Sequence, residues 1–208
     1  MKKTIAFILA AGMAVSLAGC GTSSGTASTT APSAETGAAA VETSSEAESA
    51  VSEDAIPETV PIKSLNASKE EIDLEVPYDP QRVAILDMAC LDILDSLGLG
   101  DRVVGSASTS LEYLQEYVTD ENIANLGTIK EADMEAVMAC EPDVIFIGGR
   151  LASSYDALSE IAPVVYLATD TELGVVESVR KNAATIASMF GEEEQVESLM
   201  ADFDSRID

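Results

Sequence analysis

The sequence has no histidine and no tryptophan. Without histidine, the chain cannot supply a Ser-His-Asp or Cys-His catalytic centre, nor a His-ligated zinc, manganese or haem site. Basic residues are also scarce, because 11 Lys and Arg stand against 37 Asp and Glu, which gives a formal net charge of −26. Nucleic acid is therefore an implausible partner, and the simplest role of the acidity is solubility.

The first twenty residues have the layout of an export signal. Lys2 and Lys3 form a positive start, residues 4–15 form an apolar run, and Leu-Ala-Gly stands directly before Cys20. The pattern resembles the lipobox of bacterial lipoproteins, which implies a signal peptide over residues 1–19 and a lipid anchor on the Cys20 thiol, on the outer side of the cell membrane. The alternatives are an ordinary secretory signal with a chance cysteine and a transmembrane anchor, for which the run is short.

A polar segment follows Cys20. Residues 20–56 consist mainly of Ser, Thr, Ala, Gly and Glu, with almost no large apolar side chains. Such a composition buries too little surface to offset the entropy of ordering, so we predict a disordered, acidic linker. The remaining residues, about 150, are enough for one domain.

The rest of the chain alternates between patterns typical of strands and helices. A hairpin is predicted first, with strands 60–65 and 72–76 around a polar turn. Short apolar runs then predict strands at 82–86, 103–104, 144–147 and 164–167. Helical spacing with capping residues predicts helices at 88–97 (capped by Asp87), 111–118 and 134–140, and a further helix that is capped by Ser153 or Ser154 and ends at 161. Two last helices are predicted on either side of Gly191. This order predicts an α/β fold, with a mostly parallel sheet covered by helices on both faces.

Three segments are predicted at the edge of the sheet where ligands gather, beyond the carboxyl ends of the strands. They are Asp87-Met88, Thr128-Ile129-Lys130 and Gly148-Gly149-Arg150. The two glycines would let the backbone approach a ligand, and Arg150 offers a planar fork of donors for carboxylate, catecholate or phosphate oxygens. Lys130 adds a second positive charge. The alternative is that both cations are solvated surface charges and that the glycines form a tight turn.

Two cysteines remain once Cys20 is assigned to lipid. Cys90 and Cys140 lie among apolar residues on predicted helices, which favours small buried hydrophobic side chains. Outside the cytoplasm a disulfide between them is the alternative.

Several longer motifs carry a resemblance to a known family. They include Asn125 through Ala136 (NLGTIKEADMEA), Glu141 through Arg150 (EPDVIFIGGR), Tyr155 through Pro163, Asp79 through Asp87, and Val179 through Gly191. Together they resemble the helical-backbone substrate-binding proteins of ABC importers, and more narrowly the ferric-siderophore branch that includes the petrobactin-type binding proteins. The resemblance covers the chain from about residue 60 to its end.

The resemblance implies a fold and a function. Members of the family have two α/β lobes joined by a long helix, hold the ligand between the lobes, have no enzymatic activity and no cofactor, and deliver ferric siderophore, haem or cobalamin to a membrane permease. Residues 57–191 would then form the N-terminal ligand-binding lobe, and residues 192–208 would begin the helix between the lobes, with the second lobe absent from this chain. Arg150 and Lys130 would contact an anionic iron chelate.

Other functions stay open at this point. Haem and cobalamin are the alternative ligands within the family, and the two cations favour an anionic chelate over a neutral corrin. Cys90 and Cys140 would fit a redox or cluster-binding domain, although two cysteines are too few for a fully Cys-ligated iron–sulfur cluster. A lipid-anchored sensing or interaction protein without a role in transport is the third alternative.

Overall fold

The computed structural model describes residues 56–207. The predicted signal peptide (1–19), the predicted lipid attachment at Cys20 and all but the last residue of the predicted linker (20–56) lie outside the described residues. No helix between residues 56 and 207 has the length and apolar character needed to cross a membrane.

The described part opens with the predicted β-hairpin. Strands β1 (Thr59–Leu65) and β2 (Glu71–Pro77) pair antiparallel along their whole length. Asn66 shapes the turn, because its Oδ1 accepts hydrogen bonds from the backbone N–H groups of Ser68 at 2.9 Å and Glu70 at 3.0 Å. Lys69 completes the turn with a φ of 64°, a left-handed conformation that is uncommon for a residue with a side chain.

The main sheet has five parallel strands. The strands that follow the hairpin are β3 (Val83–Leu86), β4 (Val103–Ser106), β5 (Ala124–Asn125), β6 (Gly127–Thr128), β7 (Glu131–Ala132), β8 (Val144–Ile147) and β9 (Val164–Tyr166). The order across the sheet is β5-β4-β3-β8-β9, and β6 and β7 form a separate small hairpin. Every residue of β3 and β8 is buried, as a strand covered on both faces requires. The predicted parallel α/β fold is confirmed.

Helices cover both faces of the sheet. They are α1 (Met88–Ser96), α2 (Glu116–Thr119), α3 (Met134–Ala139), α4 (Tyr155–Ser159), α5 (Val175–Phe190) and α6 (Glu193–Ile207). The predicted cap at Asp87 is confirmed, since its Oδ1 accepts from the N–H groups of Ala89 and Cys90. The predicted stop at Gly191 is also confirmed, because Gly191 has the left-handed φ of 70° that ends α5.

Alternate residues of each strand divide the interior into two layers. Val83 and Ile85 of β3 face a core made with α1, α5 and α6, whereas Ala84 and Leu86 face a core made with α3 and α4. Cys90 belongs to the first core and Cys140 to the second, and both are free, buried thiols. The prediction of small buried side chains is confirmed, and the alternative disulfide is wrong because the sheet separates the two residues.

Two predicted helices differ from the structure. The segment predicted as helix 111–118 is a 3₁₀ turn (Glu112–Leu114) followed by the four residues of α2, because it has no side-chain cap and exposes Tyr113 on the outside. Ser154 stands at the predicted cap position directly before α4 but makes no capping hydrogen bond; residues Gly149–Ser154 form a 3₁₀ helix, and α4 ends at Ser159 and not at residue 161.

Side-chain hydrogen bonds tie the amino ends of the strands together. Arg82, just before β3, donates its Nε to the carbonyl of Glu141 at 2.8 Å and another nitrogen to the carbonyl of Cys140. Asp143, just before β8, accepts from the backbone N–H of Arg82 at 2.9 Å. Arg102, just before β4, pairs with Asp79 at 3.1 Å. We call this set of contacts the amino-edge clamp.

Candidate ligand-binding site

The carboxyl ends of three neighbouring strands meet at an open cavity. From β3 the chain continues to β4 on one side, and β8 pairs with β3 on the other, so the strand order reverses direction beside β3. Such a switch point leaves a crevice where ligands bind in open parallel sheets. Here the crevice is a cavity of about 300 Å³, which we call the cleft; its walls are Asp87, Ala89, Ile129, Gly148, Gly149, Arg150, Leu167, Ala168, Thr169 and Asn182.

The floor of the cleft is a close contact between two strand ends. A Cβ at Gly148 would overlap Oδ2 of Asp87, so only glycine leaves room for this carboxylate. Asp87 in turn is fixed by α1, whose first N–H groups donate to its other oxygen. The expected approach of a ligand to the Gly148 and Gly149 backbone stays a prediction; at Gly148 the Asp87 carboxylate occupies the position of a Cβ, and the φ of −108° is one that any residue adopts.

The structure brings the three predicted strand-end segments to this edge. Arg150 lies on the first turn of the 3₁₀ helix after β8, is exposed, and lines the cleft. Lys130 lies at the tip of the β6–β7 hairpin and is exposed. Its side chain is not part of the cleft wall, whereas its neighbour Ile129 is. Arg150 thus faces the cavity directly, and Lys130 stands beside it.

Most basic side chains in the described residues already have partners. Nine of the 11 Lys and Arg lie within residues 56–207. Five form ion pairs with acids, and Arg82 donates to carbonyls of the amino-edge clamp. Between residues 56 and 207 the three side chains without an acidic or carbonyl partner are Lys69, Lys130 and Arg150. Two of these three stand at the cleft.

Sequence reasoning missed part of the cleft wall. Thr169 and Ala168 follow β9, and Asn182 comes from the middle of α5, where its Nδ2 contacts the carbonyl of Ala168 at 3.4 Å. Ala168 and Thr169 could have been predicted from the sequence, because every strand of a parallel sheet brings its carboxyl end to the same edge. Asn182 gave no such signal, since a polar residue on a long amphipathic helix normally faces solvent.

The two thiols are poor candidates for chemistry. Burial raises the pKa of the Cys90 thiol well above its ordinary value, and the adjacent Asp87 carboxylate raises it further. Burial also raises the pKa of Cys140. Both therefore stay protonated at neutral pH, which removes the thiolate that redox chemistry or metal binding needs. In the part of the chain that the structure describes, no cluster of three or more Cys, Asp or Glu could hold a metal ion.

Comparisons with known proteins agree on one family. Residues 83–208 match the family model described as "Periplasmic binding protein". The petrobactin-binding protein YclQ of Bacillus subtilis is 38% identical over 134 residues, which is 64% of this chain and 42% of YclQ. The crystal structure of YclQ superposes with a TM-score of 0.66 at 34% identity, over 72% of this chain and 51% of that one.

A second solved structure gives the same answer. The periplasmic catecholate-siderophore binding protein VctP of Vibrio cholerae superposes with a TM-score of 0.62 at 27% identity, over 70% of this chain and 51% of that one. The chain therefore spans about half the length of the relatives it matches. The matched half carries the parallel sheet and the cleft.

Proposed function

Because the chain belongs to the periplasmic binding protein family, we propose that it captures an anionic ferric siderophore outside the cytoplasm and delivers it to the permease of an ABC importer. In this role the protein binds and releases its cargo without chemical change, so it has no enzymatic activity. Residues 57–191 are the first ligand-binding lobe, and α6 begins the helix that leads towards a second one.

The observation that carries the proposal is the pair of unpartnered cations at the switch point. Arg150 lines the cleft, Lys130 directly follows Ile129 of its wall, and neither has an acidic partner among residues 56–207. In a chain with 37 acids, cations without an acidic partner are unexpected, and binding of an anionic ligand would explain them. The planar guanidinium of Arg150 suits two neighbouring chelate oxygens.

The net charge of −26 does not oppose this role. Two opposite unit charges about 4 Å apart attract by about 4 kcal/mol at an effective dielectric near 20. Exposed acids farther away than about 8 Å are largely screened at physiological salt. The charge that matters locally is that of the cleft wall, where the acid is Asp87, and the first N–H groups of α1 already donate to its Oδ1.

The names of the relatives favour a catecholate-type cargo. YclQ is named for petrobactin and VctP for catecholate siderophores. Haem and cobalamin are the second candidates within the same family. The neutral corrin of cobalamin would leave both cations without a partner, so an anionic chelate fits better.

The membrane anchor belongs to the same proposal. Residues 1–19 are the signal peptide, Cys20 carries lipid, and residues 20–56 are the tether. With about 5–6 Å × √n for a flexible chain, a tether of this length holds the lobe on the order of 30 Å from the membrane. Metabolic labelling with a radioactive fatty acid tests the anchor, because Cys20→Ser would abolish the label.

The direct test of the cargo is a titration of the purified protein with ferric catecholate, hydroxamate and citrate chelates, with haem and cobalamin beside them. Binding is followed by the intrinsic fluorescence of the tyrosines. Arg150→Ala removes a charge-assisted pair of hydrogen bonds, so we expect the affinity for the preferred chelate to fall about tenfold or more.

The matched control for this test is Arg206→Ala. Arg206 is an exposed arginine on α6 that pairs with Asp202, so its loss removes the same charge away from the cleft. Its affinity should equal that of the unmodified protein. A folded protein that binds none of the chelates, or an Arg150→Ala variant with unchanged affinity, would contradict the proposal.

A further inference from the structure

A second cavity adjoins the cleft. Its volume is about 370 Å³, and it lies between the β1–β2 hairpin, the segment after β9 and one side of α5. Four residues line both cavities, namely Leu167, Ala168, Thr169 and Asn182. The two cavities are therefore neighbours along one edge of the sheet. We call the second one the hairpin pocket.

The hairpin pocket is rich in lysine. Lys63 and Lys69 enter it from the hairpin, and Lys181 enters it from α5. These three are a third of the nine basic residues in positions 56–207. In a chain with more than three acids for each base, such a concentration marks a place suited to an anion.

Two of the lysines already hold carboxylates. Nζ of Lys181 lies 2.8 Å from Glu71, and Nζ of Lys63 lies 2.6 Å from Asp73. The hydrogen bond from Lys181 lowers the pKa of Glu71, and the charge of Lys63 lowers it further. Lys181 and Lys63 thus already pair with carboxylates of the protein, and Glu71, which lines the pocket, is one of them.

Lys69 differs from the other two lysines. Among residues 56–207 it has no acidic partner, although it lines the pocket. Its backbone is fixed in the left-handed region by the Asn66 turn, where its N–H donates to the carbonyl of Asn66 at 2.9 Å. A rigid turn therefore carries an unpartnered ammonium group at the pocket.

Asp170 is an acid that also lines the hairpin pocket. Oδ1 of Asp170 accepts the backbone N–H of Glu172 at 2.8 Å, within its own loop. The side chain of Ser178 fixes the start of this loop, because its Oγ accepts the N–H of Asp170 at 2.9 Å. These bonds hold the loop in place, and among residues 56–207 Asp170 forms no ion pair with Lys69.

From this arrangement we propose that the hairpin pocket binds a carboxylate group of a small anionic molecule, with Lys69 as the principal cation. The carboxylate has two sources: a free polycarboxylate such as citrate, or a carboxylate arm of the chelate held in the cleft. The second source rests on the proposed function, and the first does not.

The first experiment uses citrate without iron as the probe. Calorimetric titration of the unmodified protein should give saturable binding that weakens with added salt. Lys69→Gln keeps a polar side chain, shorter by one atom, and removes its charge, so we expect the affinity for citrate to fall about tenfold. Arg206→Gln removes one charge on α6 and should leave the affinity unchanged.

The second experiment separates the two sources. Ferric chelates with and without a free carboxylate arm are titrated against the unmodified protein and Lys69→Gln. If the arm is the ligand, only the carboxylate-bearing chelate loses affinity in Lys69→Gln, and citrate alone binds weakly or not at all.

The outcomes distinguish this proposal from that of the cleft. If Lys69→Gln changes neither citrate binding nor the affinity for either chelate, the hairpin-pocket proposal is wrong. If Arg150→Ala still weakens chelate binding in that case, the proposed function stands without it. If Lys69→Gln weakens citrate binding while Arg150→Ala has no effect on any chelate, the pocket stands and the cleft proposal fails.

Discussion

The two edges of the parallel sheet differ in how they use basic residues. At the amino edge, Arg82 and Arg102 are held by carbonyls and a carboxylate of the clamp. At the carboxyl edge, two lysines of the hairpin pocket also pair with acids, whereas Arg150, Lys130 and Lys69 have no such partner among residues 56–207. The same side-chain chemistry therefore supports the fold at the amino edge and remains in part available for a ligand at the carboxyl edge. Position relative to acceptors, and not residue type, separates the two roles.

The backbone explains the difference. Arg82 donates to the carbonyls of Cys140 and Glu141, which follow the last turn of α3, where carbonyls lack partners within the helix. At the carboxyl edge α1 begins at Asp87, and a helix start presents N–H donors in place of free carbonyls. Among residues 56–207, Arg150, Lys130 and Lys69 therefore lack carbonyl acceptors of the kind that hold Arg82.

The largest effect is expected from Gly148→Ala, which breaks the close floor beneath the unpaired cations. The new Cβ would overlap Oδ2 of Asp87, so Asp87 must rotate and lose its capping bonds to α1. Loss of a cap together with overpacking costs about 1–3 kcal/mol. Urea unfolding should show this loss, and chelate binding should weaken because the floor of the cleft moves.

The neighbouring glycine is the matched control. A Cβ at Gly149 meets only the Tyr166 hydroxyl, at 3.3 Å, and the residue is exposed. Gly149→Ala should therefore be nearly neutral. Equal loss of stability in both variants would mean that the contact between Gly148 and Asp87 does not matter.

Arg82→Ala is expected to have the next largest effect, because it opens the amino-edge clamp. It removes two hydrogen bonds from a charged donor, and the site is partly exposed, so we expect a loss of about 1–2 kcal/mol of the free energy of unfolding. Chelate affinity should not change. Arg82→Lys keeps the charge without the planar fork and should restore only part of the loss. Full restoration by lysine would mean that charge alone supports this edge.

The contacts at the two edges should also differ in how their contribution to the free energy of unfolding depends on pH, and this effect is smaller. The hydrogen bond from Lys181 lowers the pKa of Glu71 below its ordinary value, so the pair contributes stability above the unfolded-state pKa and loses it as the pH falls through the folded-state pKa. The carbonyl acceptors of Arg82 do not titrate. Glu71→Gln should therefore be slightly less stable than the unmodified protein at pH 7 and equally stable in strong acid. Thermal unfolding from pH 7 to pH 3 tests this, and a constant difference would contradict it.

The smallest effect on folding is expected from the unpaired cations. Arg150→Gln and Lys130→Gln break no contact with an acid, so the free energy of unfolding should change by less than about 0.5 kcal/mol. Chemical denaturation measures it. A loss as large as that of Arg82→Ala would show that the two edges are not different after all.

Local chemistry made much of the fold predictable. Asp87 as a cap, Gly191 as a stop and the buried run of β8 each depend on a few adjacent residues, and the structure agrees with all three. The break between the 3₁₀ turn and α2 was not predictable, because the turn depends on which side chains find a surface to pack against. The two-residue strands β5, β6 and β7 were also missed, since so short a strand leaves no periodicity to detect.

The candidate site was predictable only in part. Arg150 and Asp87 stand directly after long apolar strands, so the rule for parallel sheets located them. Lys69 was interpreted as one residue of a polar turn, because nothing local shows that the hairpin packs beside β9. That contact depends on Ser64, whose Oγ accepts the N–H of Tyr166, a residue 102 positions away. The contact between Gly148 and Asp87 was equally hidden, since Asp87 follows another strand.

The amino-edge clamp also bears on how the chain folds. Arg82 and Asp143 are 61 positions apart, and the central strands β3 and β8 can pair only after the chain between them has closed into a loop. Closing such a loop costs entropy before any contact repays it, and pairings this distant slow folding. The amino-edge clamp joins the two ends of this loop. Its contacts oppose the separation of β3 from β8, so Arg82 both supports the native edge and lengthens the lifetime of the folded state.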